Sequence, residues 1–411
     1  MQTNIAEFIR NTPEGREADS ILRACTHCGF CTATCPTYQL LGDELDGPRG
    51  RIYLMKQMLE GAAPGEKTRL HLDRCLTCRA CETICPSGVR YGRLVDIGRG
   101  LLEREAPRPL GKRLARAALR FGLMRRGVFG PLVKLGQAAR PLLPQPLARK
   151  IPAWRKKPYW PEPRHNRKML VLVGCVQPSL APNINAAAAR ILDRIGISLL
   201  RARQAGCCGA ISHHLGAHDE ALGLAERNLR AWQPHIARGV EAVVSTASGC
   251  GVMLKEYGDL LDDDLNLVGA ARRVSEITCD ISEVLLGEKD KIIALPRNSK
   301  TSTQNLKLAF HSPCTLQHGL KIYGVVEELL TSCGFELTPV PDAHLCCGSA
   351  GTYSLLQPKI SKQLLANKIA ALESGAPQMI VTANIGCLLH LESAASVPVK
   401  HWVEVLDEAL G

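Results

Sequence analysis

The chain has 411 residues, 45 % of them hydrophobic and 22 % charged, with a formal charge of +12. A chain of this length predicts about two to four domains, and the composition excludes collagen-like sequence and wholesale disorder. No run nears the ~18 consecutive apolar residues that span a bilayer. The first twenty residues carry acids and lack an apolar stretch, so no secretory signal is expected.

The 18 cysteines decide the class. In a long chain without an export signal, clustered thiols bind metal or carry out redox chemistry rather than pair as disulfides. The expected compartment is the cytoplasm.

Residues 1–103 carry the strongest pattern. Cys25-x2-Cys28-x2-Cys31-x3-Cys35-Pro36 recurs as Cys75-x2-Cys78-x2-Cys81-x3-Cys85-Pro86. Two residues between thiolates let them curl around one face of a cubane, while the fourth cysteine, turned away before Pro, serves the other cluster. This assigns Cys25, Cys28, Cys31 and Cys85 to one [4Fe–4S] cluster and Cys75, Cys78, Cys81 and Cys35 to a second. The alternative, in which each run holds one cluster alone, stays open. Zinc also takes Cys-x2-Cys pairs, but usually two pairs across a longer loop.

The clusters are separated by 39 residues, a gap that predicts a helix through RIYLMKQMLE stopped at Gly61 and a second over Glu66 to Arg74. The pattern is that of an α-helical dicluster ferredoxin. Arg49 and Arg51 are candidates to offset cluster charge, or else surface ion pairs. His27, inside the first loop, is expected to be a hydrogen-bonding or exposed residue rather than a ligand.

Residues 104–168 hold eighteen Lys or Arg against two acids, a local charge of +16 that leaves −4 for the rest. This Pro-rich stretch reads as a basic linker. Within it Leu110, Leu114, Ala117, Ala118, Phe121 and Met124 recur at helical spacing, with Lys112, Arg113, Arg116 and Arg120 off that stripe. Such an amphipathic helix suits an anionic membrane face, an acidic partner, or packing on its own protein. Trp154 and Trp160 bracket Arg155, Lys156 and Lys157, but nothing else points to nucleic acid, and none is expected.

The remainder is duplicated. Cys175, Cys207-Cys208-Gly209 and Cys250 recur 139, 139 and 137 residues later as Cys314, Cys346-Cys347-Gly348 and Cys387. Strand-like runs at 168–175, 241–250, 306–314 and 378–387 alternate with helical stretches at Glu220 to Trp232 and Lys359 to Ser374. The expected fold is therefore α plus α/β: the ferredoxin domain, then Cys-Cys-Gly domains at 169–287 and 306–411 joined by a linker at 288–305. Cysteines at strand ends would converge at one edge of each sheet. Each constellation could hold a cluster, hold zinc, exchange thiols with a disulfide, or consist of buried free thiols. Cys279 and Cys333 fall outside the repeat and are expected to be buried free thiols. His213, His214, His218, His311 and His318 are expected in core or surface roles. No dinucleotide fingerprint, P-loop or Ser-His-Asp pattern appears, which favours an electron relay over a self-contained enzyme.

With both halves in view, the chain resembles the glycolate oxidase iron–sulfur subunit family along its whole length. The stretches that carry this are ADSILRACTHCGFCTATCPTYQLLGDELDGPRGRIYLMKQ, HLDRCLTCRACETICPSGVRYGRLVDIGR, AGCCGA, TASGCG, HLCCGSAGTY and VTANIGC. More widely it is similar to heterodisulfide reductase cysteine-rich subunits and to the iron–sulfur subunits of lactate and glycerol-3-phosphate dehydrogenases. The resemblance implies a non-catalytic electron-transfer subunit with the eight N-terminal cysteines as cluster ligands. Its partner would be a flavoprotein, holding the FAD, that oxidises glycolate to glyoxylate and also D-lactate to pyruvate. The acceptor would be a quinone, with peripheral contact on the inner face of the cytoplasmic membrane. The alternatives are a thiol/disulfide reductase of heterodisulfide reductase type, or the iron–sulfur subunit of a lactate or glycerol-3-phosphate dehydrogenase. The family's fullest pattern ends each repeat in Cys-x2-Cys; here Met253 follows Cys250 and His390 follows Cys387.

Overall fold

A computed structural model describes residues 1–144, 154, 157–262, 264–297 and 306–411. The N-terminal part is built of helices alone, the longest being Pro13–Ala24, Pro48–Leu59 and Tyr91–Glu105. Thr12 starts the first of these by accepting the Gly15 amide at 3.0 Å, with Pro13 at the first helical position. Ile9, Leu22, Met55, Leu59, Leu72, Leu94 and Leu101 fill the core between them. The helix expected through RIYLMKQMLE occupies Pro48–Leu59, with Gly61 in the left-handed region after it. The one expected over Glu66 to Arg74 occupies Glu66–Asp73.

The duplicated half forms two four-stranded parallel sheets. In the first, β1 (Arg167–Val171), β2 (Ile197–Leu200), β3 (Val243–Ser245) and β4 (Thr278–Asp280) lie in the order β2-β1-β3-β4. In the second, β5 (Lys307–His311), β6 (Glu336–Leu337), β7 (Met379–Thr382) and β8 (Val399–His401) lie in the equivalent order β6-β5-β7-β8. Each strand-like run carries a strand shorter than itself, β1 starting one residue ahead of its run. The cysteines that close the runs lie beyond the strands, Cys250 and Cys387 already inside the helices Ser248–Lys255 and Ile385–Glu392. The edge strands β4 and β8 carry no long apolar run of their own.

The two sheets share one hydrophobic core. Val171, Ile191 and Leu199 of the first copy pack with Leu308, Val381, Trp402 and Leu406 of the second. Arg190 pairs with Asp407 at 2.6 Å, Asn183 donates to Glu404 at 2.9 Å, and His401 Nε2 donates to the Thr246 carbonyl at 2.9 Å. Cys279 and Cys333 are half-buried against this core and are free thiols.

The basic segment is more structured than a linker. Helices Leu110–Met124 and Arg126–Ala139 run along both halves of the molecule. Up to its last turn, where Met124 is buried, the first is turned opposite to the usual arrangement, with Arg116 pairing inward to Asp73 at 3.2 Å and Arg120 to Glu220 at 2.8 Å. Leu110, Leu114 and Phe121 are left 68, 61 and 49 % exposed. The acids on neighbouring helices draw the arginine face inward: Arg116 joins Arg108 on the half-buried Asp73, and Arg120 meets Glu220. Trp160 packs on the shared core and donates to the Leu199 carbonyl at 3.2 Å. Arg155 and Lys156 lie outside the described residues, as do 298–305 of the expected second linker; the helix Lys289–Ala294 occupies the start of that stretch.

Candidate iron–sulfur centres

The two N-terminal cysteine runs fold into matching loops. In each, the second and fourth residues after the first cysteine take left-handed backbone: His27 and Gly29 in one, Thr77 and Arg79 in the other. Left-handed backbone costs a non-glycine residue roughly 1–2 kcal/mol, so three of these four positions are held by their surroundings. Each loop then enters a short helix, Phe30–Ala33 or Ala80–Thr83, on which the third cysteine sits. The fourth lies just beyond, and Pro36 opens the next helix after Cys35.

This brings cysteines of different runs together. One pocket is lined by Cys25, Cys28, Cys31 and, from the other run, Cys85. A second is lined by Cys75, Cys78, Cys81 and Cys35. Cys81, Pro48 and Tyr91 border both pockets, so the two are neighbours. The first reaches the surface, where Cys28 and Phe30 are exposed, whereas the second is interior.

The donor set fits iron. Burial pushes the Cys31 thiol up to about 11, with Cys25 adding to it, and pushes Cys78 and Cys81 well above the ordinary thiol value. Four converging thiolates of this kind are stable only around a cation that replaces their protons. Cys75 differs. Burial raises it too, but Arg51 and Arg99, with hydrogen bonds from Tyr91 Oη at 3.6 Å and the Thr77 amide at 3.4 Å, bring it below the usual value.

Arg51 is 1 % exposed. It donates to the His71 carbonyl at 2.7 Å and to Thr37 Oγ1 at 3.1 Å, lies 3.5 Å from Asp46 and reaches Cys35 Sγ at 4.0 Å. Asp46, fully buried, also takes Arg74 at 2.7 Å and His71 at 2.9 Å. The second pocket thus has a fixed cation beneath it. Arg49, half-exposed, also borders the first pocket but is paired there with Glu44 at 2.6 Å. His27 borders the first pocket without being one of its four thiols.

The Cys-Cys-Gly sites form where the strand order reverses, between β1 and β3 and between β5 and β7, the usual crevice of an open parallel sheet. In the first, Cys175, Cys207, Cys208 and Cys250 make one chain of thiol contacts. In the second, Cys314, Cys346, Cys347 and Cys387 do the same, with Cys314 and Cys346 sulfurs 3.8 Å apart. The neighbouring Cys346 thiol and burial together hold Cys314 well above the ordinary value. Gly348 is left-handed, and a Cβ there would lie 2.7 Å from the Ser361 carbonyl oxygen, so the third residue of the triplet must be glycine.

The copies differ in what surrounds the thiols. The first is covered by the basic helices: Met124 packs on Cys175 and Cys207, and the Ser212 hydroxyl donates to Met124 Sδ at 3.0 Å. The second abuts the interior cysteine pocket, with Cys78 and Leu76 packing in one cluster with Cys314, Cys346 and Tyr353. Thr83 Oγ1 bonds His318 Nδ1 at 2.9 Å across this junction. His311 is fully buried near Cys347 and Cys387. Lys368, 3 % exposed, donates to the Asp342 carbonyl at 2.8 Å. It stands in the apolar stripe Leu364, Leu365, Ile369 and Leu372, a cation out of place that the sequence displays. Arg99 and Tyr91, which act on Cys75, carry no comparable signal.

Residues 21–89 match the 4Fe-4S dicluster domain family, and residues 169–255 and 308–392 match the cysteine-rich domain family. The chain is 55 % identical to the glycolate oxidase iron-sulfur subunit of Escherichia coli K12, over 100 % of this chain and 99 % of that one. It is 30 % identical to the probable glycolate oxidase iron-sulfur subunit of Bacillus subtilis, over 98 and 97 %. Lactate utilization protein A of Bacillus subtilis is 26 % identical over 58 % of this chain. A hypothetical protein from Helicobacter pylori shares the fold, with a TM-score of 0.57 at 9 % identity over 98 % of this chain and 73 % of that one. With two iron–sulfur clusters in its dicluster domain and a duplicated cysteine-rich domain behind it, the chain belongs to the glycolate oxidase iron–sulfur subunit family.

Proposed function

We propose that this chain is the electron-transfer subunit of a glycolate-oxidising complex, taking electrons from a flavoprotein partner and passing them toward a quinone. The observation that carries this is the pair of adjoining cysteine pockets, one open to the surface and one leading inward to the second Cys-Cys-Gly site. When bound there, [4Fe–4S] clusters accept and release single electrons. Cys25, Cys28, Cys31 and Cys85 would hold the cluster at the open pocket, and Cys35, Cys75, Cys78 and Cys81 the inner one. Arg51 and Arg99 offset thiolate charge, and the apolar packing of Leu76, Tyr353 and Leu364 keeps water from the inner end. The open pocket, rimmed by exposed Phe30, is the face for the flavoprotein.

The Cys-Cys-Gly sites are the place for a further cluster or for zinc. The outward apolar face of Leu110, Leu114 and Phe121, beside exposed Lys112 and Arg113, suits peripheral contact with an anionic membrane. No helix of the described residues is long and apolar enough to cross one.

Iron, sulfide and zinc per chain, measured on anaerobically purified protein, test the assignment. About eight irons support two clusters at the N-terminal pockets; substantially more place iron at the Cys-Cys-Gly sites as well. Fewer than about four, or glycolate oxidation by the isolated chain with a dye acceptor, overturns the proposal.

A further inference from the structure

Away from the cysteines, a carboxylate and three imidazoles meet where the dicluster domain touches the first cysteine-rich domain. Asp96 lies on the helix Tyr91–Glu105, and His213 and His214 lie on Ala210–His214, just after the Cys207-Cys208-Gly209 triplet. The contact is tight: a Cβ on Gly100 would come within 2.9 Å of His218 Cε1. Asp96 is 1 % exposed and His213 3 %, whereas His214 is half-buried.

The polar atoms of this cluster are not consumed by hydrogen bonds. His214 Nδ1 lies 3.0 Å from Asp96 Oδ1, which is one ordinary bond. Asp96 Oδ2, His213 Nδ1 and His218 Nε2 are buried without a partner. His213 Nε2 stands 3.4 Å from Asp96 Oδ2, long for a bond between imidazole and carboxylate. That separation suits two ligands of one tetrahedral ion, for which metal–ligand bonds of about 2.0–2.1 Å give an edge of about 3.3 Å. One ligand atom from each of Asp96, His213 and His214 lies within 4.8 Å of the others. The ring of His218 stacks on that of His213 at 5.0 Å, placing a further imidazole beside the three.

The surrounding charge leaves Asp96 available. Among the nearby guanidinium groups, Arg79 pairs with Glu256 through one nitrogen and Arg93 with Glu17, while Arg99 is spent on Thr77 and on the carbonyls of Leu72, Cys75 and His214. Two imidazoles and a carboxylate are a borderline nitrogen and oxygen set, suited to zinc-class divalent cations and distinct from the thiolates nearby.

We propose that Asp96, His213 and His214 bind a divalent zinc-class cation that pins the dicluster domain to the first cysteine-rich domain. This site is independent of the electron-transfer assignment, and its ligands come from both domains, so it forms only when they are docked.

The test uses the full chain with its iron–sulfur clusters, stripped of loosely held metal and given one equivalent of Zn²⁺. Zinc X-ray absorption separates the two kinds of ligand, because zinc–nitrogen or –oxygen bonds are about 2.0–2.1 Å and zinc–sulfur bonds about 2.3 Å. The expected result is one zinc per chain with a nitrogen and oxygen shell, a higher unfolding midpoint with zinc, and loss of both in His213→Ala. His214→Ala, at the half-exposed position, gives the same loss with iron content unchanged, which shows that the chain still folds. No bound zinc, a sulfur shell only, or zinc retained in His214→Ala overturns the proposal.

Discussion

The hydroxyl of Tyr353 donates to the carbonyl of Arg74 at 3.0 Å, tying the second cysteine-rich domain to the residue just before Cys75. The same tyrosine packs with Leu76 and Cys346, so one side chain touches both the inner pocket and the Cys-Cys-Gly site. Tyr353→Phe keeps the ring and removes the bond. The expected loss is about 1 kcal/mol of folding stability, with iron content unchanged. Denaturant unfolding followed at the cluster absorbance checks both.

Cys85 belongs by sequence to the second run but lines the first pocket. Cys85→Ser is therefore expected to disturb the same electron paramagnetic resonance signal as Cys28→Ser, and Cys35→Ser the other. If Cys85→Ser instead matched Cys78→Ser, each run would hold its own cluster.

Arg51 places a buried cation beneath the inner pocket and beside Asp46. Arg51→Met leaves the thiolates without it while Asp46 keeps Arg74 and His71, so the cost falls at or below the low end of the about 3–5 kcal/mol for a buried pair broken from one side. The expected outcome is loss of the inner cluster, with about four irons remaining per chain. Arg51→Lys is expected to restore part of the iron, since it keeps the charge but not the forked hydrogen bonds.

Burial holds His401 down to about 4, and it is neutral where it donates to Thr246 across the two copies. A histidine whose pKa is lowered on folding adds stability above its unfolded value of about 6.5. That contribution is lost as pH falls from there toward 4, because the unfolded chain takes up a proton that the folded chain refuses. Unfolding free energy measured across this window should fall less steeply in His401→Asn, by up to about 1.4 kcal/mol per pH unit.

Leu114 and Phe121 point outward from a helix whose Arg116 and Arg120 are engaged inward. Leu114→Glu with Phe121→Glu is expected to change folding stability by no more than about 0.5 kcal/mol per site. Sedimentation with anionic vesicles should fall at least tenfold. Unchanged sedimentation would remove the membrane from the function proposed for this face.

The cysteine spacing by itself determined the α-helical dicluster domain, the duplication and the two groups of four thiols in the repeats, because ligand spacing is a local property of the chain. Strand positions were legible for the same reason, at β1, β3, β5 and β7, where apolar runs are long. The edge strands β4 and β8 were not, since Thr278–Asp280 and Val399–His401 owe their state to a neighbouring strand. Arg51 could be singled out in the sequence but not told apart from Arg49; burial against Asp46 and Cys35 separates them. The amphipathic helix at 110–124 was visible as a pattern, yet its orientation was not. A helical stripe does not say which face turns inward, and Asp73 and Glu220, distant in the chain, settle that for Arg116 and Arg120. Only the tertiary structure brings Cys78 to Cys314 and Asp96 to His213, because those contacts join different domains, and no local periodicity records how two surfaces meet.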